Sequence, residues 1–557
     1  MAVPKTIFRL QWPKLPYNLR LIETYVGMIE RRKAAGSVLL PLFLLLLPLL
    51  NGCATIPYDY PRTLSTALYL PEATSMGKKI QAQVEENHGA SGFYLLSSGE
   101  DAFFARVRLI NRAEKTLDLQ YYLFSADLTG KFMLDRIIAA AERGVRVRLL
   151  LDDWGETAEM DRWLTMMEIY PSIEVRIFNP FGGLRSNLLT RSFGAIFGAK
   201  RLKGRMHNKA FIVDNSVAIV GGRNIADEYF EASSGVNFSD MDIMAEGPIV
   251  RQVSAVFDDY WNCVLSIPLK ALVSHRPTDE EVQKARHDLE AESESLKKSS
   301  YAVKVRESDL YLLKHLVEPG MMSFVWAQGD VLFDDPLKVI NSDDRERTVK
   351  MRRELGAFLQ EAQSELLIIS PYLVPGKAVV QWFQEMRDRG VMVKIITNSL
   401  ASTDSSVAQF GYMRYRKDFL RMGVELYELR PTPVPRGGDR FRIGGSSRGS
   451  LHAKTIVLDG RAVFVGSFNL DLRSARSDTQ NGIVVHSPEL AEQAAGIFNK
   501  DASPTRTYRV TLVGDDILVW VTAENGREVR YYREPMAGFW LRFSGRFFYV
   551  FIPESML

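Results

Sequence analysis

Two segments of this 557-residue chain share the pattern His-x-Lys-x4-Asp. They are His207–Lys209–Asp214 and His452–Lys454–Asp459. Side chains two residues apart on a strand point to the same face, so each segment presents an imidazole and an ammonium group to one pocket. The apolar residues after the lysine continue the strand, and the aspartate closes it into a turn. An imidazole beside a lysine suits phosphate chemistry, because the ammonium binds the anion while the imidazole reacts.

Each motif is followed by a small turn and an asparagine, at Asn224 and Asn469. We expect both asparagines, and Ser467 beside the second, to bind substrate as neutral hydrogen-bonding groups. With seven histidines in the chain, one such motif arises by chance about 0.03 times per chain of this composition. Two copies with matching downstream asparagines therefore favour a phosphodiester-cleaving site over two structural histidines.

The motifs belong to a long internal repeat, whose offset stays between 245 and 250 residues. Gly144-Val-Arg-Val-Arg-Leu-Leu matches Gly390-Val-Met-Val-Lys-Ile-Ile, and apolar strands alternate with amphipathic helices in both copies. Helices are expected at 102–112, 131–143, 352–363 and 377–389. Such alternation predicts α/β layers, and a period this long indicates a duplicated domain.

The chain divides into six predicted parts. They are a leader at 1–52, a linker at 53–92, a first domain at 93–269, a charged connector at 270–320, a second domain at 321–504 and a C-terminal extension at 505–557 that could contact a membrane.

The paired motif resembles the signature of the phospholipase D superfamily over residues 93–500. The resemblance implies two α/β/α sandwiches, related by a pseudo-two-fold axis, that share one active site. It implies that one histidine attacks phosphorus to form a phosphohistidine and that the other is the acid and base. By resemblance alone, His207 is the nucleophile and His452 the acid/base. We expect Asp214 and Asp459 to orient imidazole or lysine, and the alternative is that they only form the turn. We expect neither a metal nor a cofactor.

One departure from the family pattern concerns Gln480-Asn481-Gly482. Many relatives carry a carboxylate near Asn481 that supports a histidine, so this support is in doubt in the second half. In the first half, Asp240 or Asp242 could supply it.

Within the superfamily the chain is most similar to bacterial cardiolipin synthases, particularly the C type. The supporting segments are Ser98-Gly99-Glu100-Asp101-Ala102-Phe103, Asp118-Leu-Gln-Tyr-Tyr122, Asp152-Asp153 and Phe178-Asn-Pro-Phe181. The implied reaction joins phosphatidylglycerol and a second phospholipid, with phospholipids and a membrane surface as partners. A small accessory protein of unknown identity is a further candidate partner.

The leader indicates a membrane location. A basic segment precedes an uncharged stretch at 37–50 that is too short to span a bilayer, as in secretory signals. Translation from Met28 would give a leader of ordinary length. Leu50-Asn51-Gly52-Cys53 resembles the lipobox of bacterial lipoproteins, so we expect a lipid on Cys53 and a body facing the periplasm, on the outer rather than the inner membrane. The alternative is an uncleaved N-terminal anchor.

Charge separates lipid from nucleic acid as the substrate. Residues 1–52 carry a net charge of +5 and the remainder −2, whereas nucleic-acid binding usually needs a basic excess. Residues 182–206 and 436–448 mix basic and apolar side chains, Arg205 among them, which suits an anionic bilayer surface. A hydrolase of phospholipids, a periplasmic nuclease and a non-catalytic lipid-binding protein are the alternatives.

Overall fold

A computed structural model describes residues 56–154, 158–181, 204–273, 277–298, 301, 324–340, 345–431, 449–514 and 516–543. The predictions for the leader, Met28 and Cys53 lie outside these residues, as do those for most of the two basic loops. Within the described ranges, no helix has both the length and the apolar character needed to cross a membrane.

The first half is built from alternating strands and helices. In chain order its elements are α1 (Ser75–Glu86), β1 (Ser91–Leu96), α2 (Gly99–Arg112), β2 (Thr116–Tyr121), α3 (Leu128–Glu142), β3 (Arg146–Asp152), α4 (Ala158–Met167), β4 (Ile173–Phe178), β5 (Ala210–Val213), β6 (Val217–Gly221), β7 (Asn237–Ser239), β8 (Asp242–Glu246), α5 (Pro248–Trp261), β9 (Ser266–Pro268) and α6 (Asp279–Lys298).

The second half repeats this plan and then adds two strands at its C-terminal end. Its elements are β10 (Val325–Phe333), α7 (Arg345–Gln360), β11 (Glu365–Ile369), β12 (Leu373–Val374), α8 (Lys377–Asp388), β13 (Met392–Asn398), α9 (Ser406–Tyr412), α10 (Arg416–Arg421), β14 (Glu425–Leu429), β15 (Gly449–Leu451), β16 (Thr455–Leu458), β17 (Ala462–Gly466), β18 (Leu470–Asp471), α11 (Leu472–Arg476), β19 (Asn481–His486), α12 (Pro488–Asp501), β20 (Thr507–Val513), β21 (Ile517–Glu524) and β22 (Arg527–Tyr531).

Strand pairing gives the two halves the same topology. The first half runs in the order β1-β8-β6-β5-β2-β3-β4-β9, with β2, β3 and β4 parallel. The second runs β10-β19-β17-β16-β11-β13-β14-β20, with β11, β13 and β14 parallel. The antiparallel pair β1–β10 joins them into one 18-stranded sheet of the described chain. This pair lies at the pseudo-two-fold axis, and the predicted duplicated α/β fold is confirmed.

The local sequence explains these elements. Ser98 and Asp127 cap the first turns of α2 and α3 through side-chain oxygens. Gly144 and Gly390 follow α3 and α8 with φ of +89° and +86°, the left-handed conformation that ends helices. The parallel strands are almost wholly buried, and the charged residues on β2 and β3 are paired there, as Asp118 is with Arg148.

Two regions outside the repeat also pack on the body. In the predicted connector, α6 buries Leu289 and Leu296 in the core of the first half. In the C-terminal extension, β20, β21 and β22 continue the sheet beside β14.

Candidate active site

The two motifs meet because each half lends a strand to the other. β15, which leads into His452, pairs in parallel with β7 of the first half. Met206, which precedes His207, bridges to Thr479 of the second half. The backbone N–H of His207 donates to the Thr479 carbonyl at 2.9 Å, and that of His452 to the Ser239 carbonyl at 2.8 Å. Each histidine is therefore fixed by the half that does not contain it.

His452 is held by a carboxylate from the first half. Its Nδ1 lies 2.7 Å from Asp240 Oδ2, and both side chains are buried. The rings of Tyr229 and Phe238 pack on the imidazole, with centroids 5.2 and 5.3 Å away. Because Nδ1 donates to Asp240, Nε2 is left facing the site, and the carboxylate can stabilise an imidazolium.

His207 has a neutral partner in the matching position. Its Nδ1 lies 3.0 Å from Gln480 Oε1. Gln480 Nε2 donates to Ser474 Oγ at 3.1 Å, which turns the amide oxygen towards the histidine. The edge of the Tyr122 ring packs against the imidazole at 5.0 Å. Nδ1 of His207 therefore donates to an uncharged oxygen, and its Nε2 lone pair is free to react.

The lysines sit beside their histidines as the spacing predicted. Lys209 Nζ donates to the His207 carbonyl at 2.8 Å, and Lys454 Nζ donates to the His452 carbonyl. Lys454 Nζ also lies 3.0 Å from Nδ1 and 3.2 Å from Nε2 of the His452 ring. Asn481 of the second half clamps the Lys209 backbone, accepting from its N–H at 3.1 Å and donating to its carbonyl at 3.0 Å. Two ammonium groups can thus face one phosphate.

The expected substrate-binding residues divide into two groups. Asn224 and Asn469 are buried beside the motifs, and each has a carboxamide oxygen without a protein partner; Asn224 Nδ2 donates to Tyr229 OH at 2.8 Å. The hydroxyl of Ser467 instead donates to Gln480 Oε1 at 2.7 Å. Its contacts therefore support the partner of His207 rather than a substrate group.

Asp214 and Asp459 lie at the opposite ends of their strands from the histidines, which corrects their expected role. Asp214 accepts hydrogen bonds from the backbone N–H groups of Glu114, Lys115 and Thr116. Asp459 accepts in the same way from the backbone of residues 363–365. With four strand residues between lysine and aspartate, neither carboxylate reaches the imidazole. Both anchor the turn that precedes a parallel strand.

Replacing Asp214 with alanine is therefore expected to lower stability without changing the reaction. The substitution leaves three backbone N–H donors without an acceptor and should lower the free energy of unfolding by about 2–4 kcal/mol. Urea denaturation measures this loss, and turnover per folded molecule should stay within about twofold of the parent. A large fall in turnover without destabilisation would return the aspartate to the catalytic machinery.

Burial and mutual repulsion set the charges of the site. Burial, reinforced by Lys209 and Lys454, lowers the pKa of His207 well below its ordinary value. Burial also lowers the pKa of His452, with Lys454 adding to the effect and Asp240 opposing it. Burial raises the pKa of Asp240, but His452 and Lys454 outweigh that effect and bring the pKa below its ordinary value. The lysines that lower the pKa values of the histidines make the site electropositive, and an electropositive site suits an anionic substrate.

The comparisons with known proteins agree with this geometry. The family model of the cardiolipin synthase, phospholipase D-like domain, matches residues 107–261 and 355–502.

The chain belongs to this family.

Cardiolipin synthase C of Escherichia coli (strain K12) is 39% identical over 458 residues, which cover 82% of this chain and 94% of that protein. An uncharacterised protein of Helicobacter pylori (strain ATCC 700392 / 26695) is 32% identical over 495 residues, covering 88% and 95%. A phosphatidylserine synthase structure from Haemophilus influenzae Rd KW20 superposes with a TM-score of 0.50 at 15% identity, covering 78% of this chain and 92% of that one. The predicted superfamily and its enzymatic character are confirmed.

Of the two aspartates that the sequence offered as support for a histidine in this phospholipase D-like site, only Asp240 contacts one. Its partner is His452 of the other half, while Asp242 pairs with Arg106 at 2.8 Å. Gln480 was noticed only as a departure, although it is the partner of His207. Asp240 and Gln480 hold equivalent positions, because Gly221 pairs with Asp242 as Gly466 pairs with Gly482. They are 240 residues apart, outside the 245–250 offset of the repeat, so the offset alone did not align them.

Arg205 requires a further correction. It was grouped with the basic side chains expected at a bilayer surface, but it is fully buried and pairs with Asp152 at 2.7 Å. The same carboxylate accepts from the backbone N–H of Met206 at 2.8 Å. This pair therefore fixes the approach to His207, because a buried guanidinium needs a partner.

We expect Lys454 to set an alkaline limit on the activity of this phospholipase D-like enzyme. Burial lowers its pKa to about 8, so in the free enzyme its positive charge is present below that pH and is lost as pH rises through it. We expect kcat/KM to fall above about pH 8. Because an arginine stays charged throughout this range, Lys454→Arg should move the alkaline limb to higher pH even if it lowers the maximum rate. The pH profile of both proteins measures this, and an unmoved limb would assign it to another group.

Proposed function

We propose that this enzyme makes cardiolipin by transferring a phosphatidyl group to the glycerol headgroup of phosphatidylglycerol, through a phosphohistidine. The observation that carries the proposal is the meeting of two complete His-x-Lys pairs in one site, each histidine oriented by the other half. Cardiolipin synthase C, the E. coli relative, covers most of the chain and supports this choice of product.

The first step uses the free Nε2 of His207. It attacks phosphorus, the bond from phosphorus to the leaving alcohol oxygen breaks, and His452 gives that oxygen a proton. Lys209 and Lys454 offset the charge on the non-bridging oxygens. Entry of the anionic phosphate diester also favours protonation of His452, because it counters the Lys454 ammonium group, which adds to the lowering of the His452 pKa by burial in the free site.

The second step reverses the first with a different alcohol. The acceptor hydroxyl gives its proton to His452, its oxygen bonds to phosphorus, and the bond between phosphorus and His207 breaks. Exchange of one phosphodiester for another needs no nucleotide. If the acceptor is the glycerol headgroup of phosphatidylglycerol, the product is cardiolipin; if the acceptor is water, the result is hydrolysis. The access of water to the phosphoenzyme therefore decides between the two reactions.

The test is to incubate purified protein with phosphatidylglycerol, with and without phosphatidylethanolamine, and to separate the lipids. We expect cardiolipin from the parent protein and none from His207→Ala or His452→Ala. Phosphatidic acid as the sole product would make the enzyme a hydrolase. DNA cleavage without lipid turnover would favour the nuclease, and neither activity would favour a non-catalytic lipid-binding protein.

We also propose that a lipid on Cys53 holds the enzyme on a membrane facing the periplasm, with the outer membrane favoured. The leader and the lipobox-like segment support this. Cys53→Ser should abolish incorporation of labelled fatty acid and leave the leader uncleaved. A parent protein that takes up no labelled fatty acid and keeps its leader would favour an uncleaved N-terminal anchor instead.

A further inference from the structure

Three exposed aromatic side chains cluster at the end of the described chain. We call Phe539, Trp540 and Phe543 the aromatic patch; they are 66%, 76% and 54% exposed. Their ring centroids lie 5.4 Å apart for Phe539–Trp540, 6.3 Å for Phe539–Phe543 and 6.1 Å for Trp540–Phe543. A contiguous exposed group of large rings marks an interaction surface, unlike scattered single residues.

Ion pairs and apolar packing anchor the base of the aromatic patch on the second half. Glu534, just before it, pairs with the buried Arg416 at 2.6 Å, and Arg416 also pairs with Glu428 of β14 at 2.9 Å. Ala537 is buried in a small cluster with Leu400 and Phe410. These contacts hold the base of the patch while its rings face outwards.

These contacts place the aromatic patch near the edge of the sheet that carries the catalytic histidines. Leu400 follows β13, and Asn398 at the end of that strand exchanges two hydrogen bonds of 2.9 Å with the backbone of Leu451. Leu451 directly precedes His452. The path from the patch to the catalytic histidine therefore runs through a few packed residues on the second-half side of the site.

A smaller aromatic group stands at the matching place in the first half. Trp154 follows β3, is 46% exposed and lies 6.2 Å from the ring of Phe181. Arg205 lies over the other side of this group, 4.9 Å from the Phe181 centroid. Because β3 and β13 correspond in the repeat, exposed rings flank the site from both halves.

Charge around the aromatic patch favours an anionic partner. Arg533 is exposed and Arg542 is partly exposed, while the nearby Glu534 is neutralised by Arg416. Aromatic rings mixed with arginines are typical of surfaces that sit at the level of lipid headgroups, where rings enter the apolar boundary and cations meet anionic lipids.

We propose that the aromatic patch inserts into the surface of a bilayer rich in anionic phospholipid and brings the catalytic edge onto it. This inference rests on the proposed function, since a phospholipid substrate lies in such a bilayer. It deepens that function by naming the surface through which lipid reaches the site.

Quenching of tryptophan fluorescence tests insertion directly. The full-length protein is bound to phosphatidylglycerol vesicles with or without brominated acyl chains, which quench only rings that enter the bilayer. Of the eight tryptophans, Trp540 should contribute much of the quenching. The variant Trp540→Phe should therefore show clearly less quenching than the parent. Trp382→Phe, a partly buried position on α8, is the matched control and should behave as the parent. Equal quenching of the parent and Trp540→Phe would overturn the proposal.

Kinetics test whether insertion delivers substrate. Phe539→Ser combined with Phe543→Ser should lower turnover on phosphatidylglycerol vesicles about tenfold, with little change on a monomeric short-chain phosphatidylglycerol. The control is Val513→Ser with Ile517→Ser, which are also exposed. They lie at the opposite edge, because β20 runs antiparallel to β14. Equal losses on both substrates, or none, would contradict the proposal.

Failure of the proposed function gives a different result. A parent protein that turns over no lipid, yet shows Trp540-dependent quenching, would refute phosphatidyl transfer and leave the docking surface standing. Transfer on vesicles with no Trp540-dependent quenching would do the reverse.

Discussion

His207→Ala should abolish phosphatidyl transfer to every acceptor, by at least about 10⁴-fold, because no phosphoenzyme can form. His452→Ala should be as damaging on natural lipids, whose alkoxide leaving groups need a proton. On a phosphatidyl ester of p-nitrophenol, which leaves without a proton, His452→Ala should keep the first step within about tenfold of the parent. The two histidines are thus distinguished by their leaving-group dependence.

The physical basis is the unequal pair of partners. His207 donates from Nδ1 to the neutral Gln480 Oε1, so its Nε2 lone pair is kept without extra stabilisation of an imidazolium. His452 donates to the Asp240 carboxylate, which does stabilise the protonated ring that an acid must become. These contacts therefore favour the roles that family resemblance implied, and the leaving-group experiment tests them.

The measurement is the burst of p-nitrophenol, together with trapping of a labelled phosphohistidine after rapid acid-free denaturation. We expect a burst and a trapped adduct in His452→Ala and neither in His207→Ala. The opposite pattern would exchange the two roles. Matched melting temperatures are needed, since both rings are packed against tyrosines.

The repeated hydrophobic pattern was enough to predict most of the fold. Val-, Ile- and Leu-rich strands alternating with amphipathic helices specify an α/β half, and the same pattern 245–250 residues later specifies a second. Helices expected at 131–143 and 377–389 are found at Leu128–Glu142 and Lys377–Asp388. These local signals suffice because capping residues and glycine stops act within a turn of the helix end.

The support of the histidines could not be predicted in the same way. Asp240 and His452 are 212 residues apart, and Gln480 and His207 are 273 apart. Their contact depends on β7 pairing with β15 across the two halves, which no local pattern encodes. For Asp214 the error was the reverse, because closeness in sequence suggested closeness in space. The strand between Lys209 and Asp214 places the aspartate at the far edge of the sheet.

Asp240→Asn is expected to lower kcat by about 10²–10⁴-fold while leaving the structure intact. Asparagine keeps a hydrogen-bonding group near His452 but removes the negative charge that stabilises its protonated form. It also removes a charge that opposes the lowering of the His452 and Lys454 pKa values. The alkaline limb of the pH profile should therefore move to lower pH.

The matched variant changes the other partner in the opposite direction. Gln480→Glu places a carboxylate on Nδ1 of His207, which raises the pKa of that imidazole. Neutral His207 is the nucleophile, so a higher pKa means that the ring becomes protonated at a higher pH. The acidic limb of the pH profile should therefore lie at higher pH than in the parent. The fall in kcat near neutral pH should be smaller than for Asp240→Asn, because the ring needed as an acid is untouched.

Together these two variants test whether the asymmetry has a function. Profiles of kcat against pH for the parent, Asp240→Asn, Gln480→Glu and the double variant measure it, with denaturation midpoints as the control for folding. If the double variant, which exchanges the charge between the two partners, recovered parental activity, the histidines would be interchangeable and the present assignment would fail. We expect no recovery, because Ser467 and Ser474 are arranged around the amide of Gln480. Both carboxylate oxygens of Asp240 accept hydrogen bonds, Oδ1 from the Met241 N–H at 2.7 Å and Oδ2 from His452 at 2.7 Å, and an asparagine offers only one such oxygen.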